Sequence, residues 1–290
     1  MLYQSIRIQI AIITKLINNT KFKIDKGDHL LDTHTHILWN IDDGSKNQCM
    51  SLQMLEIAAR SGTKAIFAAP HVIERANKPS WEEIKEKTQQ LRQLCAEAQI
   101  DIMLYPGAEV QMNWELLPEL GATGAYCLNG GRYLLVELPA AEIPAYADEF
   151  WYELELKGIT PVLAHPERYR QLHENKDLLL LWRRRGMLMQ CNSGSFTGMF
   201  GSSVCENAKV LLANGLVDLL GSDGHRCEGR NTDMSRAAAV IRQLAGEEVL
   251  RQMTETNPQA ILKNQEIELK QPKVFLEDKP KSFWQKLFSK

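Results

Sequence analysis

Between residues 29 and 223 the apolar positions gather into seven short runs: "HLLDTH", "KAIFAAPH", "DIMLYPGAE", "YLLVEL", "ITPVLAH", "MLMQCN" and "LVDLLGSD". Each is too short for a helix and apolar enough to be buried on both faces, which predicts seven strands of a parallel sheet. The longer segments between them, near 47–61, 80–98, 144–157, 175–185, 203–214 and 233–256, carry helical spacing and helix formers. Several open on Pro, Ser or Asp and close on Gly, as helices do. Strand and helix in alternation predict a sheet covered by helices.

What closes each run adds chemistry to the pattern. Six of the seven end on residues that bind metals or move protons: His34 with His36, His71, Glu109, Glu137, His165, and Asp223 with His225; the seventh ends on Asn192. In a barrel of parallel strands the loops after the strands build one rim, so residues remote in sequence converge there. An open doubly wound sheet would gather its ligands mainly at one switch point. The ring of strand-end ligands therefore points to a barrel.

Five of the seven histidines stand at these ends, joined by the carboxylates Asp43, Glu109, Glu137 and Asp223. Burying so many polar heads without a cation to pair them would be costly. Imidazole and carboxylate donors without thiolate suit manganese, iron or zinc with open coordination positions. In the HxH of His34 and His36, residues i and i+2 point to one side of a strand and can grip one ion. Nine ligands exceed the needs of a single ion, so two or three ions and a bridging carboxylate are expected. Three divalent ions with four carboxylates and one hydroxide sum to about +1, which still attracts a phosphate dianion. Arg168 and Arg230 lie three and five residues after His165 and His225. A guanidinium fork there can hold two phosphate oxygens.

Composition narrows the partners. The chain has 290 residues, enough for one large α/β domain or two ordinary ones, and 34 basic against 36 acidic side chains give a net charge of -2. That balance gives no global attraction to nucleic acid. The six cysteines form no CxxC pair, as reduced thiols of a cytosolic protein would not. None has an arginine six residues later, which excludes the Cys-x5-Arg loop of cysteine phosphatases. Residues 1–28 read as an N-terminal extension whose apolar stretch, Ile6 to Ile17, is too short and too polar to span a bilayer. In the tail, residues 266–290, Phe283, Trp284, Leu287 and Phe288 fall among lysines at the spacing of an amphipathic helix on a membrane or a partner.

Through "DTHTHILWNIDDGSKN", "AAPH", "GAEV", "LLVELP", "PVLAHPERY", "QCNSGSFTG" and "GSDGH", in that order, the chain resembles the polymerase and histidinol phosphatase (PHP) superfamily. Within it, the chain is similar to the bacterial metal-dependent protein-tyrosine phosphatases of the CpsB/CapC type, over residues 29 to about 260. The resemblance implies a distorted (β/α)7 TIM-like barrel, here a PHP domain over residues 29–265, with a cluster of three ions, usually Mn2+. It implies one ion on His34, His36, Glu109 and Asp223, a second on Asp43, His71 and His225, and a third on Glu109, Glu137 and His165, with Glu109 as the bridge. Asp43 rather than Asp42 follows because the family uses the second aspartate of its "DDG". Arg168 and Arg230 match family arginines that hold phosphate.

The activity implied is dephosphorylation of phosphotyrosine on a protein, by resemblance a membrane-bound bacterial tyrosine kinase that regulates capsule or exopolysaccharide synthesis. The place implied is the cytoplasm, at the inner face of the membrane if the tail binds there. Other PHP activities, on a small molecule such as histidinol phosphate or on nucleic acid, are the enzymatic alternatives, and a metal-stabilised scaffold is the non-enzymatic one. Two features depart from the family: Val72 follows His71 where a second histidine is usual, and 28 residues precede the region where relatives commonly begin.

Overall fold

The structure, a computed structural model, describes residues 29–121 and 124–269. The expectations for residues 1–28 and for the Phe283–Phe288 helix lie outside the described residues. The seven predicted runs become nine strands: β1 Leu30–Thr35, β2 Thr63–Ala68, β3 His71–Val72, β4 Met103–Pro106, β5 Glu109–Gln111, β6 Tyr133–Glu137, β7 Thr160–Ala164, β8 Leu188–Asn192 and β9 Leu219–Gly221. All the pairings among them are parallel, in the orders β1-β2-β4 and β3-β5-β6-β7-β8-β9.

The second and third runs each break in two at one level of the sheet. Pro70 interrupts the second because it has no N–H for the ladder; its carbonyl instead accepts from the Glu109 backbone N–H at 3.0 Å. Gly107 interrupts the third, where any Cβ would stand 2.7 Å from Leu128 Cδ2. The sheet curls until its outer strands meet. The Asp223 N–H donates to the His34 carbonyl at 2.7 Å and the His36 N–H to the Gly224 carbonyl at 3.0 Å, joining the end of β9 to β1. The outcome is the expected seven-position barrel, distorted at the two breaks.

Among the described residues six longer helices cover it: α1 Gln48–Arg60, α2 Trp81–Ala98, α3 Ala147–Leu156, α4 Lys176–Arg184, α5 Ser202–Ala213 and α6 Ser235–Ala245. Their starts follow from side chains that satisfy exposed amides. Asn47 accepts from the Met50 N–H, and Ser80 accepts from the Glu83 N–H, with Glu82 and Glu83 in the positive first turn of α2. The helix expected over 233–256 is not continuous. Gly246, at φ 88°, ends α6, and Glu247–Arg251, a π-helical turn Gln252–Thr256 and Asn257–Leu262 follow.

Strand alternation divides the core. Tyr133, Leu135, Val162, Ala164, Leu188 and Leu219 fill the barrel interior, while Leu134, Val136 and Leu163 pack outward beneath the helices. There Trp151 of α3 meets Trp182 of α4 edge to face at 5.6 Å, and the Trp182 indole donates to Asp148 at 2.7 Å. Each such fully buried apolar side chain contributes about 1.5–3 kcal/mol relative to exposure. At the N-terminal end of the barrel, the Leu30 N–H donates to the Gly62 carbonyl, the Tyr133 hydroxyl donates to the Gln265 carbonyl, and Leu269 lines a groove with Thr160 and Leu188. Both ends of the described chain therefore lie where strands begin. The polar ring lies where they end. Among the described residues no helix is long and apolar enough to cross a membrane.

Candidate metal centre

The strand ends bring together all nine residues predicted as ligands. His34 of β1 and His36, the residue just after its end, bring their Nε2 atoms 3.1 Å apart, and the Glu109 Oε2 lies 3.2 and 3.3 Å from them. The Asp223 Oδ1 lies 3.6 and 3.3 Å from the same two nitrogens. His71 Nδ1 faces Glu109 Oε2 at 3.0 Å and Glu137 Oε1 at 3.3 Å. Asp43 Oδ1 lies 3.2 Å from His225 Nε2 and 3.7 Å from His71 Nε2. His165 Nε2 lies 2.8 Å from Glu109 Oε1. His165 and Asp223 adopt left-handed backbone, at φ 36° and 52°, a conformation that costs energy in non-glycine residues and gathers at functional sites.

Among the described residues three groups of side chains lie close enough to hold an ion: His34, His36 and Asp223; His36, Asp43, His71 and His225; and His71, Glu109 and Glu137. These groups differ in detail from those drawn by resemblance. His36 and His71 each belong to two groups, and His165 reaches the cluster through Glu109. Glu109 touches His34, His36, His71 and His165, as a bridging carboxylate would.

Tautomers test whether a cation fits. The Gln190 amide nitrogen donates to the Cys191 carbonyl and to Asn192 Oδ1, so its oxygen faces His34 Nδ1 at 3.0 Å as an acceptor. Asp42 Oδ2 faces His36 Nδ1 at 2.7 Å, and the Asp223 carbonyl faces His225 Nδ1 at 2.9 Å. Each Nδ1 therefore carries the proton, and each neutral ring turns an Nε2 lone pair toward the centre. Two lone pairs 3.1 Å apart need a cation between them. Glu109 Oε2, Asp223 Oδ1 and His225 Nε2, all buried, find no hydrogen-bond partner. Metal fits this donor set.

In the metal-free protein protons take the cation's part. Burial disfavours the His34 and His36 imidazolium ions, but Glu109 and Asp223 around the first and Asp42 beside the second outweigh it and raise both pKa values. Burial and His36 likewise oppose the charge on His71, yet Glu109 and Glu137 lift it to about 10. Burial pushes Glu109 and Asp223 up, and the surrounding imidazoles hold both well below the usual carboxylate range. The adjoining His225 ring, 3.2 Å away, does most to hold Asp43 below the usual carboxylate range. Burial lowers His225 itself.

Both predicted arginines reach the ring. Arg168 Nη1 lies 3.4 Å from Asp223 Oδ2, Arg230 pairs with the same oxygen, and the Asn192 amide donates to it at 2.6 Å. Asp223 thus faces imidazoles with one oxygen and guanidiniums with the other. Three contributors were not singled out from the sequence: Asp42 and Gln190, which orient the paired histidines, and Phe200, over whose ring both guanidiniums lie, at 5.0 and 5.8 Å. Gln190 carried a signal, as a polar residue within an apolar run. Asp42 sat beside the residue chosen.

The model of the family described as "Capsular polysaccharide synthesis, CpsB/CapC" matches residues 30–263. The chain belongs to the CpsB/CapC family. Among curated CpsB/CapC relatives, the tyrosine-protein phosphatase YwqE of Bacillus subtilis is 33% identical over 238 residues, covering 82% of this chain and 93% of its own. The tyrosine-protein phosphatase CpsB of Streptococcus pneumoniae is 28% identical over 241 residues, covering 81% and 99%. A crystal structure from work on these two proteins, described as unique metal-dependent tyrosine phosphatases, matches with a TM-score of 0.79 at 32% identity, covering 84% of this chain and 98% of that one. A β-aspartyl dipeptidase from Fervidobacterium islandicum, at 16% identity and TM-score 0.52, shares the fold alone.

Proposed function

We propose that this CpsB/CapC protein is a metal-dependent protein-tyrosine phosphatase, a phosphoric monoester hydrolase without a cysteine nucleophile. One observation carries the reading: imidazole lone pairs, unpartnered carboxylate oxygens and two guanidiniums converge at one mouth of the barrel. His34, His36, Asp43, His71, Glu109, Glu137, His165, Asp223 and His225 are assigned as ligands of two or three ions. The mixed nitrogen and oxygen donors favour Mn2+, with Fe and Zn as competitors. Bound there, the ions supply an activated water and neutralise phosphate charge.

The chain's own groups do the rest. Arg168 and Arg230 hold phosphate oxygens and the charge that develops on them. Gln190 and Asp42 keep the His34 and His36 rings in the ligating tautomer. The phenol of tyrosine has a pKa of about 10, so tyrosinate departs without a dedicated proton donor.

The relatives' tyrosine-protein phosphatase names and the family's capsular polysaccharide description support a phosphotyrosine protein of that system as substrate. A membrane-bound bacterial tyrosine kinase, met in the cytoplasm at the inner face of the membrane, is the partner we assign, with residues 29–265 as the catalytic domain. The test is turnover of a phosphotyrosine peptide, histidinol phosphate and a single-stranded oligonucleotide, each with manganese. Phosphotyrosine is expected to lead, and finding it the poorest of the three overturns the reading.

A further inference from the structure

The sheet order β7-β8-β9 puts one strand between those that deliver the two arginines. Arg168 follows β7, Arg230 follows β9, and the loop after the middle strand carries Phe200. Both guanidinium carbons lie over that one ring, at 5.0 and 5.8 Å from its centroid. The arrangement is built. Glu167, fully buried, accepts from the Asn192 N–H at 2.9 Å and from the Ser195 hydroxyl at 2.6 Å, fastening the start of the loop to the turn that holds Arg168. The Met199 N–H donates back to the Gly194 carbonyl at 3.0 Å. A Cβ at Gly194 would stand 2.8 Å from Met199 Sδ and 3.1 Å from Phe200 Cε2, so the absence of a side chain at 194 lets this segment fold down over the turn.

Two like charges beside each other repel, and long arginine side chains lose about 2 kcal/mol of rotamer entropy when fixed. An aromatic face answers both difficulties, because its negative quadrupole attracts each guanidinium and its rigid plane restricts them. Asp223 alone does not suffice, since its second oxygen faces the histidines. We propose that Phe200 is a positioning residue for phosphate binding, its ring holding Arg168 and Arg230 side by side as the dianion's clamp. The proposal rests on the phosphatase reading for its substrate, but the anion clamp itself can be measured without turnover.

The experiment compares Phe200→Leu and Phe200→Tyr, which keep an apolar body of similar size but differ in having an aromatic face. Manganese-loaded wild type and variants are checked for equal metal content and Tm. Orthophosphate affinity is then measured by calorimetry, and KM and kcat with a phosphotyrosine peptide. Phe200→Leu is expected to weaken orthophosphate binding and raise KM by about tenfold, with kcat changing less. Phe200→Tyr should retain both near wild type. Leucine matching wild type overturns the proposal, as does equal impairment by leucine and tyrosine, which would make the close packing of phenylalanine rather than its aromatic face responsible. If wild type binds orthophosphate with the expected variant pattern yet leaves phosphotyrosine intact, the clamp stands and the substrate reading falls.

Discussion

Asp42 Oδ2 accepts from His36 Nδ1 across 2.7 Å and from the backbone N–H of His71 across 3.0 Å, so one oxygen aligns a ring of one ligand and the main chain of another. A carboxylate behind an imidazole fixes its tautomer and raises its basicity, and removing such a partner typically costs 10–100-fold in metal affinity. Asp42→Asn is therefore expected to weaken manganese binding by about 10–100-fold, with activity returning at raised manganese. Titration of metal against activity and by calorimetry checks this, and an unchanged affinity would remove Asp42 from the site.

Metal removal should separate this chemistry from thiol chemistry. Chelation is expected to abolish aryl-phosphate turnover and manganese to restore it. Iodoacetamide should leave it unchanged, because no cysteine belongs to the groups of donors at the mouth and burial raises the thiols of Cys95, Cys127 and Cys191. Thermal unfolding should also respond to the ion, since a ligand at a hundred times its Kd stabilises by about 2.7 kcal/mol. Full hydrolysis by a metal-stripped preparation would contradict the metal-dependent reading.

The dependence on pH has opposite signs with and without metal. In the metal-free protein His71 has a pKa of about 10, raised from 6.5. Its contribution to stability is fully present below about pH 6.5 and is lost as pH rises through about 10. Metal requires the neutral ring, so manganese affinity should rise over the same window and binding should release protons. Calorimetry in buffers of differing ionisation enthalpy measures the protons, and melting scans from pH 6 to 10 measure the stability. Manganese binding without proton release at pH 7 would show that the histidines are not ligands.

Away from the mouth, Arg183 and Asp218 form a buried pair at 2.5 Å, and Asp218 also accepts from the Met189 N–H at 2.8 Å. Arg183→Met leaves a carboxylate uncompensated in the interior, at a cost of about 3–5 kcal/mol. A fall in Tm of roughly 10 °C is expected, with turnover per folded molecule unchanged. A Tm within a degree of wild type would show that Asp218 finds another partner.

The strand and helix rhythm and the meeting of the nine strand-end side chains were legible because both depend on local pattern: buried runs, and polar residues where those runs stop. The breaks at Pro70 and Gly107 were less so, since each run stays apolar across the interruption. The helix expected over 233–256 ignored Gly246, whose φ of 88° only the backbone reveals. Partners behind the ligands escaped for a different reason. Gln190 meets His34 across 156 residues, and Phe200 meets two arginines brought in by neighbouring strands. No spacing rule encodes such meetings; strand order does.

That strand order also separates traffic from attachment. Among the described residues, Leu30 enters and Leu269 leaves at the floor of the barrel. The reactive opening lies a barrel's height away from both, so a bulky macromolecule presenting its phosphorylated side chain there meets neither Leu30 nor Leu269.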